Sequence, residues 1–121
     1  MKILVKFPGL WLQDSSGAVK INYDDIVYCE HASGVTKIVY ICGKFKRVQV
    51  PLKRIEEKLC KQKFYRCHRN YLVNLDKVGN YDEKDEFLIM KCRINVPVSR
   101  RRRNNLKIRL GLSSPGQNIS A

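Results

Sequence analysis

The middle of the chain carries the sequence Phe64-Tyr65-Arg66-Cys67-His68-Arg69-Asn70-Tyr71-Leu72-Val73-Asn74-Leu75. The aromatic and aliphatic residues on its two sides are typical of half-buried strands. The polar centre predicts a turn between those strands. Such a turn would display Arg69 and Asn70, whose side chain types pair with guanine and adenine edges in duplex DNA. Taken alone, the pattern also fits an ordinary hairpin with a polar tip.

This central run and three further segments resemble the LytTR family of bacterial DNA-binding domains. The run contains the pattern F-x-R-x-H-R-x-Y-x-V-N. Residues 23–30 are similar to the family's early strand ending in Glu, residues 52–59 to its central helix, and residues 94–102 to its closing strand and basic segment. The segments occur in the family's order and spacing, and the resemblance extends over about residues 19–110.

The resemblance implies a mainly β fold, an elongated β-β-β arrangement of about ten short strands with one central helix and a short C-terminal helix. Turn signals and alternation in the residues independently predict about nine or ten short strands. The main predicted segments are strands at Ile3–Lys6, Leu10–Leu12, Val19–Tyr23, Ile26–Glu30, Lys37–Cys42 and Phe45–Val50, a loop at His31–Gly34, a helix at Pro51–Gln62, and hairpin strands at Phe87–Met90 and Ile94–Val98.

Two details of this scheme depend on single residues. Val39 and Ile41 should share one face of their strand, because side chains alternate along it. Ser99 should be the N-cap of the last helix, Arg100–Leu110, and Gly111 should end that helix. The sequence therefore predicts one DNA-binding domain over residues 1–110 and a flexible tail over residues 111–121.

The length and the cysteines limit the class of protein. A chain of 121 residues can bury one core of its own. It has no apolar run near the roughly 18 residues of a transmembrane helix. The five cysteines form no C-x-x-C motif, so we expect free thiols and a cytoplasmic protein. Only about 18 residues precede the matched region, too few for a receiver domain. We expect either a stand-alone regulator, which Met1 favours, or a piece of a longer chain.

The net charge of +13 is concentrated in two blocks. Residues 44–69 carry ten basic and two acidic side chains, and residues 98–121 carry six basic and none acidic. The remaining residues, 1–43 and 70–97, are nearly neutral. Such clustering favours a polyanionic partner, because basic side chains displace counterions from phosphates. An anionic membrane is disfavoured, because the predicted helix uses its apolar face for the core.

The resemblance also implies contact with DNA through three loops that enter successive major grooves. By position, these are residues 31–37, the turn at residues 69–70 and the segment that begins at residue 100. The candidate DNA-binding residues are Thr36, Lys37, Arg66, His68, Arg69, Asn70, Arg100, Arg101 and Arg102. Of these, Arg69 and Arg100 suit guanine, Asn70 suits adenine or phosphate, and the other arginines and lysines suit the DNA backbone. The resemblance implies that His68 is either structural or in contact with phosphate, and that Thr36 or Lys37 lies nearest the contact of the first loop.

Catalytic and metal chemistry are disfavoured by the same residues. Cys67 and His68 are neighbours in a predicted strand, so their side chains point to opposite faces and cannot form a dyad. No cysteine or histidine pair has the spacing of a metal site. The acidic run at residues 82–86 is typical of a solvated turn. We therefore expect a protein that is not an enzyme and has neither a metal nor a cofactor.

Two functions remain open. The first is sequence-specific binding of double-stranded DNA in bacterial transcription regulation, with a second copy on repeated sites. The second is a protein-interaction or inhibitory module that docks on another regulator or sensor and binds DNA only non-specifically. A large exposed apolar patch that includes Trp11 and Phe7 would favour the second. RNA binding is less favoured, because no aromatic pair accompanies the basic stretches.

Overall fold

A computed structural model describes residues 9–14, 16–41 and 43–112. The strands are β1 (Gly9–Asp14), β2 (Gly17–Asn22), β3 (Ile26–Ala32), β4 (Val35–Tyr40), β5 (Lys44–Val48), β6 (Phe64–His68), β7 (Tyr71–Asn74), β8 (Val78–Asp82), β9 (Phe87–Met90) and β10 (Asn95–Pro97). The helices are α1 (Leu52–Lys58) and α2 (Arg103–Arg109), with 3₁₀ turns at Tyr23–Asp25, Leu75–Lys77 and Arg100–Arg102. Ten strands and two helices confirm the predicted mainly β fold.

The strands form three antiparallel sheets that are stacked as layers. The middle sheet has five strands in the order β5-β4-β3-β7-β6. One of its faces packs against the β1–β2 hairpin and α1, and the other packs against the three-stranded sheet β10-β9-β8 and α2. The middle sheet therefore carries the central run, β6 and β7, between two apolar cores.

The apolar run of β3 serves both cores. Cys29 faces the core beneath α1, together with its cross-strand partner Leu72. Tyr28 faces the other core with its partner Val73. An irregularity in the register at Ile26–Tyr28 interrupts the alternation of faces there. The strand is buried on both sides, which explains why its sequence lacks a clean alternation of apolar and polar residues.

The β3–β4 connection is shorter than the predicted loop His31–Gly34. Ser33 and Gly34 both have positive φ, 53° and 78°, as tight primed hairpin turns require. This turn lets strand pairing continue to Ala32 and Val35. β4 consequently begins and ends about two residues before the predicted Lys37–Cys42 strand. The prediction that Ile41 shares a strand face with Val39 was wrong, since Ile41 lies in the turn and is 43% exposed.

Helix α1 ends four residues before the predicted boundary at Gln62, at Lys58. Leu52, Ile55 and Leu59 are buried as predicted, but Leu59 already has extended dihedral angles. The chain turns at residues 61–63 to enter β6, and the amide of Phe64 donates to the carbonyl of Cys60. Lysine and glutamine are good helix formers, so the sequence contained no stop signal.

The C-terminal part confirms the edge position of Pro97, because β10 pairs only with β9. The last α-helix begins at Arg103, not at the predicted Arg100, because residues 100–102 form a 3₁₀ turn. Ser99 lies at the cap position of that turn, but its side chain makes no capping hydrogen bond. Gly111, with φ of 79°, ends the helix as predicted.

The predicted strand Ile3–Lys6, Phe7 and most of the predicted tail, residues 113–121, lie outside the described residues. No helix in the described ranges has the length and apolar character needed to cross a membrane.

Candidate nucleic-acid interface

The three predicted segments are joined by backbone hydrogen bonds. The amide of His31, near the β3–β4 turn, donates to the carbonyl of Asn70 in the β6–β7 turn at 2.9 Å. The amide of Ser99, just before the arginine run, donates to the carbonyl of Cys67 in β6 at 2.9 Å. The β6–β7 turn is therefore bonded to the first segment, and β6, which leads into that turn, is bonded to the residue just before the third.

His68 fixes the shape of this central turn. Its Nδ1 accepts a hydrogen bond from the amide of Asn70 at 3.1 Å, and its ring lies edge-on to Tyr71 at 5.6 Å. Burial lowers the pKa of His68, and the nearby charges of Arg69 and Arg66 lower it further. A neutral ring whose Nδ1 accepts carries its proton on Nε2. His68 can therefore donate a hydrogen bond to DNA but does not supply a cation at neutral pH.

Arg66 holds the turn from within the protein. Its Nη1 contacts the carboxylate of Glu56 on α1 at 2.8 Å. Its Nε and Nη2 donate to the backbone carbonyl of Arg69, the former at 3.2 Å. Its side chain is only 18% exposed. These contacts use both sides of the guanidinium, so Arg66 is a positioning residue, and the Arg69 side chain is the one displayed to solvent.

In the first segment, the two candidate residues differ in burial. Thr36 is 0% exposed, and its hydroxyl donates to the carbonyl of Val50 at 2.5 Å. The same hydroxyl lies 2.9 Å from Nδ1 of His31, which must be the donor because the hydroxyl proton is already used. Thr36 therefore anchors the segment and has no exposed surface to offer DNA. Lys37 is partly exposed.

Lys37 belongs to a small cationic group on β4 and β5. Its Nζ lies 4.8 Å from the ring centroid of Phe45, and the guanidinium of Arg47 lies at the same distance from that ring. Phe45 is 43% exposed, so this aromatic ring holds two cations at the surface.

The arginine run divides into exposed and anchored members. Arg100 and Arg101 are exposed. Arg102 donates from Nη1 to the carbonyl of Arg66 at 2.7 Å, and its own carbonyl accepts from the hydroxyl of Tyr65 at 3.1 Å. Arg102 is thus a second positioning residue that ties the third segment to β6.

The acidic β8–β9 turn neutralises the cations that follow this run. Nε of Arg103 lies 3.0 Å from the carboxylate of Glu86, and Nζ of Lys107 lies 2.9 Å from that of Glu83. Within the described residues, the cationic surface of the third segment is therefore smaller than its sequence suggests and centres on Arg100 and Arg101.

A shallow hollow of about 310 Å³ joins the second and third segments. It is lined by His68, Arg69, Ser99, Arg101 and Arg102. Three of these side chains are cationic, and no acidic residue is among them. The structure thus brings four predicted residues around one hollow whose charge suits a phosphate.

The described residues offer little to catalysis. Burial raises the pKa of the Cys67 thiol to about 12, and its Sγ lies 3.5 Å from the carbonyl of Pro97. A thiol of this kind is a poor nucleophile at neutral pH. Across residues 9–14, 16–41 and 43–112, no group of three or more histidine, cysteine and acidic side chains is placed to hold a metal ion.

Sequence reasoning missed three contributors to this surface. Glu56 was assigned to a helix without a role in the site, although it is the charge partner of Arg66. His31 bonds both to Thr36 and to the central turn. Arg47 completes the cationic group around Phe45. Period-2 alternation does place Phe45 and Arg47 on one strand face, but neither contact of Glu56 or His31 has a local sequence signal.

Three comparisons relate the chain to known proteins. A family model described as the LytTr DNA-binding domain matches residues 16–111. An uncharacterized response regulatory protein of Yersinia pestis is 33% identical over 103 residues, which cover 81% of this chain and 42% of that protein. The chain thus spans less than half the length of this curated relative. A solved LytTr DNA-binding domain from Bacillus cereus has a TM-score of 0.73 at 24% identity and covers 86% of this chain and 97% of its own. At that identity the likeness concerns the fold.

Proposed function

This chain belongs to the LytTR family of DNA-binding domains, and we propose that it regulates transcription by recognising a specific duplex sequence. Recognition would use three adjacent segments: the β3–β4 turn, the β6–β7 turn and the arginine run after β10. The observation that carries the proposal is the difference in exposure between the Arg66 and Arg69 side chains at the central turn. Arg69 is exposed at a position whose backbone is held by Arg66 and whose neighbour, Asn70, is bonded to the first segment.

The proposal gives base contacts to three side chains. Arg69 and Arg100 are exposed arginines, which pair bidentately with guanine in the major groove. Asn70 is partly exposed and suits adenine or a phosphate oxygen. A fixed backbone supports base readout, because a side chain presented from a rigid mount loses less entropy on binding.

Phosphate contacts would come from the residues around these three. Arg101 and the Nε2–H of His68 line the hollow between the second and third segments. Lys37 lies next to the first segment. Arg66 and Arg102 act through the backbone that they hold, and Thr36 acts through the packing of its segment. Separate segments of this kind suit successive major grooves, and two copies would occupy a repeated site.

The test begins with selection of duplexes from a randomised pool, followed by anisotropy of the enriched duplex and a scrambled one across a salt series. We expect the enriched duplex to bind at least about a thousandfold more tightly, with steep salt dependence. Arg69→Ala should cost roughly 1–3 kcal/mol on the enriched duplex and less on the scrambled one. Arg100→Ala should behave in the same way.

The control is Lys91→Ala, which removes an exposed cation from the β9–β10 turn. The backbone amide of Lys91 donates to the carbonyl of Lys77, which follows the C-terminal end of β7. The central turn lies at the other end of that strand. Loss of the Lys91 charge should change the affinities for the enriched duplex and the scrambled duplex little and equally. An equal loss for Arg69→Ala on both duplexes would remove the base contact from the proposal. Salt-sensitive binding that ignores sequence would favour the alternative, a module that docks on another regulator.

A further inference from the structure

A second surface lies on the other side of the middle sheet from α2. A groove of about 480 Å³ runs between the β1–β2 hairpin, the edge strand β5 and helix α1. None of the residues to which base or phosphate contacts are assigned lines it, and Arg47, whose guanidinium lies over Phe45, borders both surfaces. The groove is therefore distinct from the residues that are proposed to contact DNA.

The groove has an apolar interior. Trp11 is 65% exposed and Val19 is 36% exposed, both on the hairpin side. Leu12 and Ile55, which belong to the core beneath α1, form part of its floor. A tryptophan of this exposure is a large apolar surface for a monomeric domain to leave in water, and tryptophan is enriched where proteins bind one another.

The rim of the groove is cationic. The basic lining residues are Lys46, Arg47, Arg54 and Lys58, and no acidic residue is among the described residues that line it. None of the four forms a salt bridge within the described part of the chain. Within that part of the chain, no acidic side chain neutralises their charge.

We propose that this groove docks an acidic segment of a partner protein, which inserts a bulky apolar side chain against Trp11 and Val19. Its carboxylates would pair with Arg54, Lys58 and Lys46. The edge position of β5 suits an extended segment, because one side of that strand has no partner strand within the described sheet. DNA suits the groove less well, because a phosphate backbone has no apolar group for the floor.

Trp11 is the single tryptophan of the chain, so its fluorescence reports directly on the groove. The probe is found by selecting short random peptides displayed on phage against the full chain. The proposal expects enriched peptides that are acidic and carry aromatic or aliphatic residues. One of them, synthesised, should change Trp11 fluorescence and bind less tightly as salt increases.

Three variants locate the binding. Trp11→Ala, followed with a fluorescent label on the peptide, and the double variant R54E/K58E should each weaken binding about tenfold or more. Lys53→Glu is the matched control, because Lys53 is exposed on the same helix but does not line the groove. It should leave binding within about twofold. Because Trp11 is exposed on a hairpin, its replacement should leave the fold intact.

Three results would overturn the proposal. The first is a set of enriched peptides without an acidic excess. The second is peptides that bind Trp11→Ala as tightly as the wild type. The third is scrambled duplex DNA that changes Trp11 fluorescence and displaces the peptide, which would make the groove a nucleic-acid surface. None of these results bears on sequence-specific binding, because that is measured with Arg69 and Arg100.

Discussion

Arg66, His68 and Arg69 lie within one short stretch, but their environments give them different tasks. Arg66 is mostly buried against Glu56 and a backbone carbonyl, His68 is partly exposed and neutral, and Arg69 is exposed. The sequence could nominate all three because their residue types suit DNA. It could not separate them, because the task of each depends on a partner from another part of the fold.

Thr36 illustrates the same limit. Its position in the first segment followed from the family resemblance, and a hydroxyl can bond to any base. Its burial depends on Val50, which follows β5 and precedes α1. Thr36 and Ile38 are two residues apart on β4, so alternation along the strand places them on the same face, and both are buried.

At the residue scale, His68 predicts a loss of stability under mild acid. Its pKa in the folded protein is below the ordinary value of 6.5, so the unfolded chain binds a proton more readily. Stability from this residue is full above about pH 6.5 and falls as the pH drops through the folded pKa. Urea unfolding of the wild type should show a lower free energy at pH about 5.5 than at about 7.5, and a smaller difference in His68→Asn. The same pH dependence in both proteins would contradict this account.

At the scale of elements, helix α1 does more than cover the sheet. Leu52 and Ile55 pack into the core, while Glu56 on the side of the helix pairs with Arg66 of β6. The helix therefore supports the central turn without contacting the proposed DNA surface. No sequence pattern indicated this pair, because a linear pattern brings together only residues three or four apart on one helix.

The expected effect of Glu56→Gln follows from this contact. Removing an acidic charge from a basic protein should by itself strengthen DNA binding. We expect the opposite, a severalfold weaker affinity for the enriched duplex, because Arg66 loses its charge partner and the turn loses its support. Glu57→Gln removes the same charge from the next, exposed position and should not weaken binding. If both variants bind DNA more tightly, Glu56 has no positioning role.

The boundaries of the elements were predictable where turns are marked by residue type. The acidic run at residues 82–86 and the polar residues Arg69 and Asn70 lie at turns, as expected. The end of α1 was not predictable, because the last helical turn of the predicted helix consists of helix-forming residues. At that point the chain leaves the helix to enter β6, so the tertiary fold overrides the local helix propensity.

At the scale of the whole molecule, the middle sheet separates two apolar cores. Leu72 of β7 belongs to the core beneath α1, and Leu106 of α2 belongs to the core on the opposite face. Both side chains are 0% exposed. Since the described residues form two separate apolar clusters on opposite faces of the sheet, a cavity in one has few contacts through which to affect the other.

We therefore expect Leu72→Ala and Leu106→Ala each to lower the free energy of unfolding by roughly 2–5 kcal/mol. In the double variant, the two losses should add to within about 0.5 kcal/mol. Urea titrations of the wild type and the three variants measure this. A larger departure from additivity would show that the cores are coupled through the sheet.

The charge blocks of the sequence predicted the kind of partner but not its surface. Six basic residues follow position 97, yet two of them pair with Glu83 and Glu86, and Arg102 is anchored on β6. The acidic run comes from a nearly neutral segment earlier in the chain. The pairing of this acidic run with α2 depends on how the three-stranded sheet packs. A count of charges along the sequence carries no information about that packing.

The separation between anchoring and displayed arginines has a consequence for how such a domain could diverge. Arg66 and Arg102 hold backbone carbonyls, so their replacement would disturb the scaffold. Arg69 and Arg100 extend into solvent, where most substitutions cost little stability. If these two residues read bases as proposed, lineages could exchange them and acquire new operator sequences while inheriting an unchanged framework. Evolvability of this kind would let duplicated genes acquire separate regulons by a few substitutions.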